Sequence, residues 1–277
     1  MLRRIVSAAV GIVIGVGALI IDSKILFMVL ISAFSGIGAW EIVHAVKCDN
    51  HKFLMCFCIC FSAFVPFLIN IDELAFLRIP TFFVFVLGLL LIMLFGHKTV
   101  KFEDVASCGS GALIISASLS CIVMIRGMFT DYYPGIFMVV YTLFCAWFGD
   151  SGAYFIGTFF GKHKLCPEIS PKKTVEGLIG GIITAGILVA IQCLVYNLIL
   201  PTELKMNYAV LIPIGMVASG VGVLGDLSAS VIKRQYQVKD FGNLIPGHGG
   251  VLDRFDSVIF VAPFIYIIFS FLSPAIG

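Results

Sequence analysis

The stretch of the chain richest in chemically able side chains lies near its C-terminal end. It reads Gly225-Asp226-Leu227-Ser228-Ala229-Ser230-Val231-Ile232-Lys233-Arg234, then Lys239-Asp240-Phe241-Gly242, then Pro246-Gly247-His248-Gly249-Gly250-Val251-Leu252-Asp253-Arg254-Phe255-Asp256-Ser257. Asp226, Asp253 and Asp256 fall at the expected ends of membrane helices, and Asp253 and Asp256, three apart, are expected to share a helix face. Carboxylates at membrane depth are costly unless paired or bound to a cation. Beside Lys233, Arg234 and Lys239 they point either to ion pairs or to a metal–phosphate site, and hard oxygen ligands favour Mg2+ or a similar ion. The glycine-rich turn around His248 is expected to expose backbone N–H groups and to let a ligand approach closely. Carboxylates, bases and bare amides together suit phosphoryl or nucleotidyl transfer; a salt-bridge network that only caps helices is the plainer alternative. His248 could donate to a phosphate, act as an acid, or merely hydrogen-bond its turn.

A second polar segment reads Gly161-Lys162-His163-Lys164 and then Ser170-Pro171-Lys172-Lys173-Thr174-Val175-Glu176-Gly177, followed by an apolar helix. Ammonium groups and hydroxyls at a helix start suit an anion, because the free N–H groups and the helix dipole add to the attraction. Lysines drawn to anionic headgroups would look the same. Asp150, in Trp147-Phe148-Gly149-Asp150-Ser151-Gly152, is expected at a helix C-terminus, where a cation or a basic partner must offset the dipole. Glu41 and Arg126 read as interfacial anchors near span ends.

The elements that must position these groups are membrane helices. Of 277 residues 60% are hydrophobic and 12% charged, against roughly 25% charged in soluble domains, and the mean hydropathy is +1.09. Lipid is therefore the main solvent. Apolar runs predict about nine spans, over 5–21, 25–43, 53–70, 78–95, 106–125, 135–150, 177–199, 207–225 and 255–273. The expected fold is all-α and polytopic, with short loops and two longer ones, 151–176 and 226–254. Residues 1–130 form N-terminal helices and 131–277 a catalytic half, as one integral unit. With the N-terminus in the cytoplasm, all of the 18 Lys and Arg residues except Lys24, Arg78, Arg126 and Lys205 fall on the cytoplasmic side. Both long loops then face the cytoplasm and the C-terminus lies opposite. Apolar residues run past the weak cleavage site at Val16-Gly17-Ala18, which favours an uncleaved first span over a signal peptide. The nine cysteines lie mostly in apolar runs, without a His or second Cys pair to complete a metal set, and read as small buried hydrophobes.

The run Ser230-x-Ile232-Lys233-Arg234-x4-Lys239-Asp240-x-Gly242-x2-Ile245-Pro246-x-His248-Gly249-Gly250-Val251-x-Asp253-Arg254-Phe255-Asp256 resembles the signature of the phosphatidate cytidylyltransferase (CDP-diacylglycerol synthase) family. Ser170-Pro171-Lys172-Lys173-Thr174, Glu176-Gly177 and the Asp150 region also look like that family, while the first 130 residues resemble it only in hydropathy. The resemblance implies the reaction of CTP with phosphatidate to give CDP-diacylglycerol and pyrophosphate, with Mg2+. It implies Asp226 and Asp253 as the metal pair, with Asp256 and Asp150 beside them. It implies catalytic roles for Lys173, Lys233, Arg234, Lys239, Asp240 and His248, and substrate contacts from Ser170, Lys172, Thr174, Ser230, Gly249, Gly250 and Arg254. A second, monovalent cation and homodimerisation stay open at this level.

Two other readings compete. A transporter would place ion-coupling carboxylates near span centres and show matched halves; here the acids cluster at cytoplasmic ends and no repeat is visible. A CDP-alcohol phosphotransferase would carry an Asp-Gly-x2-Ala-Arg run, which is absent, whereas a lipid-alcohol kinase would share the metal site and is separated only by its cosubstrate and acceptor. No basic patch with interleaved aromatics suggests nucleic acid.

Overall fold

Backbone in lipid has no water to bond to and must satisfy its own N–H and C=O groups, which leaves long apolar segments one local solution, the α-helix. The computed structural model of the chain describes residues 15, 17, 21, 23–129, 131–200, 204–245, 247 and 249–276. In chain order its helices are α1 Lys24–Ala45, α2 Lys52–Asn70, α3 Arg78–Phe95, α4 Phe102–Arg126, α5 Tyr132–Phe160, α6 Val175–Ile199, α7 Tyr208–Gln235, α8 Leu252–Phe255 and α9 Val258–Phe271. Four short strands accompany them: β1 Lys164–Cys166 pairs antiparallel with β2 Ser170–Thr174, and β3 Lys205–Met206 with β4 Ala275–Ile276. Among the described residues seven helices are long and apolar enough to cross a membrane, and α9 is a shorter apolar one. The expected all-α, multi-pass architecture is thus the one that forms; the span expected over 5–21 lies almost wholly outside the described residues. Large apolar side chains such as Ile79, Phe83, Leu94, Phe159 and Leu198 stand exposed, which suits a lipid solvent.

Two helices differ from their expected bounds in a way that matters. α5 and α7 continue about ten residues past the apolar runs, to Phe160 and Gln235. Hydropathy marks where lipid ends, but intrahelical hydrogen bonding does not need lipid. Asp150 is therefore inside a helix, not at its C-terminus, and the dipole penalty expected there does not apply. Asp150 is the nineteenth residue of α5 and Asp226 the nineteenth of α7, close to where a span of about 20 residues reaches the far interface. Conversely, Asp253 and Asp256 do not share a helix: α8 ends at Phe255, and Asp256 and Ser257 form the turn before α9.

The chain divides into two compact units. One takes the chain up to Val123 together with Gln235–Phe255; the other takes Met124–Arg234 together with the residues from Asp256 onward. In the first, polar groups of the helices find carbonyls of their neighbours: Ser32 Oγ donates to the Ala63 carbonyl, and Ser62 Oγ to that of Ala112 at 2.8 Å. Phe85 is the one fully buried large side chain of α3 and stacks on Phe57 and Phe61. All nine cysteines are free; Cys58 and Cys108 are buried as expected, but Cys56 and Cys60 face outward from α2.

In the second unit α5 and α6 pack backbone to backbone. A Cβ added at Gly181 would lie 2.5 Å from the Gly149 carbonyl oxygen, and one at Gly177 would lie 2.7 Å from that of Ala153. Small residues are the usual means of bringing membrane helices this close. Cross-helix hydrogen bonds add to the fit, with Tyr141 OH donating to the Leu211 carbonyl at 2.8 Å and Gln192 Nε2 to that of Phe137 at 2.9 Å. At the other end of these helices, the Asn197 side chain brackets Met206 of β3 through both its N–H and its C=O.

Gly181→Val is expected to destabilise the protein by about 1–3 kcal/mol or more through overpacking. A thermal melt in detergent should show a midpoint several degrees lower, while Ile183→Val, on the exposed face of α6, should leave it nearly unchanged.

Candidate active site

The β1–β2 hairpin is tied to the start of α6 by two residues. Thr174 is buried and is the N-cap, its Oγ1 accepting the Gly177 N–H at 3.1 Å. Glu176, in the first turn, accepts the backbone N–H of Lys162 at 3.0 Å and of His163 at 3.1 Å, and meets His163 Nδ1 at 2.6 Å. The alternation of a strand then separates the two lysines of β2: Lys172 is exposed, and Lys173 is turned inward.

Lys173 Nζ lies 2.5 Å from Asp226 Oδ2 on α7. One and two turns further along the same helix face come Ser230, whose Oγ reaches Asp226 Oδ1 at 3.5 Å, and Lys233. Lys233 Nζ is 3.9 Å from Asp256 Oδ2 in the turn before α9. Asp256 Oδ1 accepts the Ser257 N–H at 2.8 Å, and Ser257 Oγ donates to Asp150 Oδ2 on α5 at 2.5 Å. Arg234 reaches back from α7 to the Ile169 carbonyl of the hairpin at 3.4 Å. The close approach of the turn to α7 requires a glycine just before Asp226, since a Cβ at Gly225 would sit 2.5 Å from the Asp256 carbonyl oxygen. Within this unit, α5, the hairpin, α7 and the turn before α9 bring Asp150, Lys173, Asp226, Ser230, Lys233 and Asp256 together.

The electrostatics of this cluster are those of crowded carboxylates. Burial, with the negative charge of Asp226 next in weight, pushes the Asp256 carboxyl up to about 7; Lys233, the Ser257 N–H and Asp150 act more weakly, the first two against the shift and the last with it. Three aspartates and two serines here are oxygen donors of the hard kind that Mg2+ takes. In the arrangement seen, lysine ammonium groups supply the positive charge, and among the described residues no three His, Cys, Asp or Glu side chains are drawn into one cation-holding cluster.

Most of the remaining expected residues lie in the other unit, on the loop between α7 and α8 and on α8 itself. Lys239, Asp240 and Arg254 are exposed. Asp253 is buried, and its Oδ2 accepts two backbone N–H groups, from Phe241 at 2.8 Å and Gly250 at 3.0 Å. The amide of Gly250, expected to be bare, is therefore engaged; Gly249 has φ of +83° and pairs its carbonyl with the Ile245 N–H. His248 lies outside the described residues. Ser170 is half-buried at the end of the hairpin turn.

Sequence reasoning assigned no role to Ser257 or Glu176, and read Glu41 as an interfacial anchor. Ser257 and Glu176 stood in the quoted segments, but their partners are set by tertiary contact. Glu41 is not an interfacial anchor: it is fully buried, and its carboxylate accepts the N–H groups of Val251 and Leu252. A lone acid in an apolar span was the available signal.

The chain is 44% identical over 188 residues to the phosphatidate cytidylyltransferase of Bacillus subtilis (strain 168), covering 68% of this chain and 66% of that protein. It is 46% identical over 134 residues to that of Haemophilus influenzae, covering 48% and 46%. It is 42% identical over 134 residues to that of Staphylococcus aureus (strain COL), covering 48% and 49%. The matched stretches thus span less than two thirds of these relatives' own lengths. The model of the Cytidylyltransferase family matches residues 2–272, and the chain belongs to that family.

Proposed function

We propose that this protein is a membrane nucleotidyltransferase that makes CDP-diacylglycerol and pyrophosphate from CTP and phosphatidate. The observation that carries the reading is the half-buried set of Asp150, Asp226 and Asp256 interleaved with Lys173 and Lys233, in a chain of the Cytidylyltransferase family. Relatives bearing the phosphatidate cytidylyltransferase name support the choice of substrates.

A phosphatidate oxygen attacks the α-phosphorus of CTP, a new P–O bond forms, and the bond from the α-phosphorus to the bridging oxygen breaks to release pyrophosphate. The attacking phosphate is already an anion, so no strong base is needed. The barrier is repulsion between two polyanions, and catalysis is mainly positioning and charge stabilisation. Lys173, held by the hairpin, and Lys233, on the Asp226 face of α7, present ammonium groups to the phosphates. Asp226 and Asp256, with Asp150, are the residues that would hold Mg2+. When bound, the ion supplies charge neutralisation at the transferring phosphoryl and at the leaving pyrophosphate. Asp226 keeps Lys173 in place, and Ser257 fixes the Asp150 carboxylate. The same reading assigns Lys239, Asp240 and Arg254 to the reactants on the resemblance alone.

The placing of Asp150 and Asp226 near the nineteenth residue of long helices supports a site at the interface, within reach of a lipid headgroup and of soluble CTP. The bias of Lys and Arg supports the cytoplasmic face.

The direct test incubates purified protein with labelled CTP, phosphatidate and Mg2+ and looks for a nucleotide-bearing lipid; label appearing only with ATP, or only on a lipid alcohol, would favour a kinase. Asp226→Ala is expected to lower kcat at least 100-fold in a protein that still inserts and melts normally. Full turnover in both Asp226→Ala and Asp256→Ala would remove the metal assignment. Lys173→Met is expected to raise KM for CTP and lower kcat together, about tenfold or more in kcat/KM, as loss of a charge-assisted contact implies.

Asp256 also sets a pH dependence. Below about 7 its carboxyl is protonated and a cation must displace the proton; above that it is ionised and binds without competition. The Mg2+ concentration for half-maximal rate should rise as pH falls from 8 to 6, and in Asp256→Asn this dependence should flatten, as read by Mg2+ titrations at each pH.

A further inference from the structure

Glu41 lies in α1, a helix otherwise apolar around it, and has no accessible surface. A carboxylate so placed is expensive unless its oxygens are met by donors. Here each oxygen is met: Oε1 accepts the Val251 N–H at 2.8 Å and Oε2 accepts the Leu252 N–H at 2.6 Å. The donors come from 210 and 211 residues away in sequence, where the loop that carries Lys239 and Asp240 runs into α8, which carries Arg254. The fit leaves no spare room, because a Cβ at either Gly242 or Gly250 would lie 2.5 Å from Glu41 Oε1. Asp253 completes the arrangement through the Phe241 and Gly250 amides. Four backbone N–H groups between 241 and 252 thus end on two buried carboxylates, and the two glycines that flank Glu41 are the residues that admit it. Charge-assisted bonds in a low-dielectric setting are strong and directional, so they fix the backbone of the loop and not merely its location.

We propose that Glu41 is a positioning residue: its carboxylate clamps Gly250–Leu252 against Gly242 and so sets the backbone beside Lys239, Asp240 and Arg254. The clamp is read from geometry alone; its consequence for turnover rests on the nucleotidyl-transfer reading above. Glu41→Gln keeps the side-chain volume but turns one acceptor into an NH2 that faces a backbone N–H. Glu41→Asp keeps the charge but withdraws it by one methylene.

The experiment follows hydrogen–deuterium exchange of peptides covering 239–255, with α5–α6 peptides as the internal reference, and turnover of CTP and phosphatidate on the same detergent-purified samples. In Glu41→Gln, exchange over 239–255 is expected to quicken about tenfold or more, with the reference unchanged, and kcat to fall about tenfold with a smaller change in KM; Glu41→Asp should restore part of both. Gly250→Ala, which fills the cradle from the other side, should quicken the same peptides, and less so when combined with Glu41→Ala, which empties it. This second pair keeps the test open if Glu41→Gln does not fold. Unchanged exchange at 239–255 in folded Glu41→Gln, equal quickening in all peptides, or quickened exchange with undiminished kcat would each overturn the proposal. A wild-type protein that makes no nucleotide-bearing lipid would instead defeat the catalytic reading, and the exchange arm would still decide the clamp.

Discussion

A carboxylate removed from water must be met by a positive charge or by N–H and O–H donors, and the working parts of this protein are organised by that demand. Asp226 is met by Lys173, Asp256 by Lys233 and its neighbour's N–H, and Asp150 by Ser257. Asp253 and Glu41 are met by backbone amides. The two solutions differ in what they leave behind. An aspartate paired with a lysine on a flexible stem can exchange that partner for a cation or accompany it to a phosphate. A carboxylate locked onto backbone amides holds a loop in shape. Acidic residues of one chemical type thus meet two kinds of donor, side-chain and backbone, according to what tertiary structure brings to them.

The helices supply the depth at which this happens. α5 and α7 are 29 and 28 residues long, more than the roughly 20 needed to cross the hydrocarbon. Asp150 and Asp226 fall near the end of those twenty, and the extra turns of α7 carry Ser230 and Lys233 as ordered helical positions. Rotamers on a packed helix are confined, so the spacing of Asp226, Ser230 and Lys233 along one face is set by the helix itself. The close packing of α5 on α6 through Gly149, Ala153, Gly177 and Gly181 holds the hairpin and its Lys173 against this face. In the proposed reading the acids and bases act at a membrane interface, borne by elements that continue as helix beyond the apolar runs.

The proposed transfer between two anions depends on such rigidity more than on a base. Burial, and after it the negative charge of Asp226, moves Asp256 toward neutrality, and in the proposed reaction a divalent cation together with the lysines would offset that charge.

Hydropathy is a sum over some twenty residues, so the all-α, multi-pass plan was legible from the sequence, as were most helices to within a few residues. The chemistry-bearing segments were legible too, because their residue types are rare in lipid. The far ends of α5 and α7 were not, since helical hydrogen bonding outlasts the apolar run that a hydropathy reading follows; that error turned Asp150 and Asp226 into helix ends. Nor was the break after Phe255, which separates Asp253 from Asp256 despite their spacing of three. The sequence by itself determined which residues would be costly to bury and therefore had to find partners. Which partner each one found was decided only by the tertiary structure, because a hydrogen bond such as that from Leu252 to Glu41 joins positions 211 apart, a distance over which no local periodicity or propensity carries information.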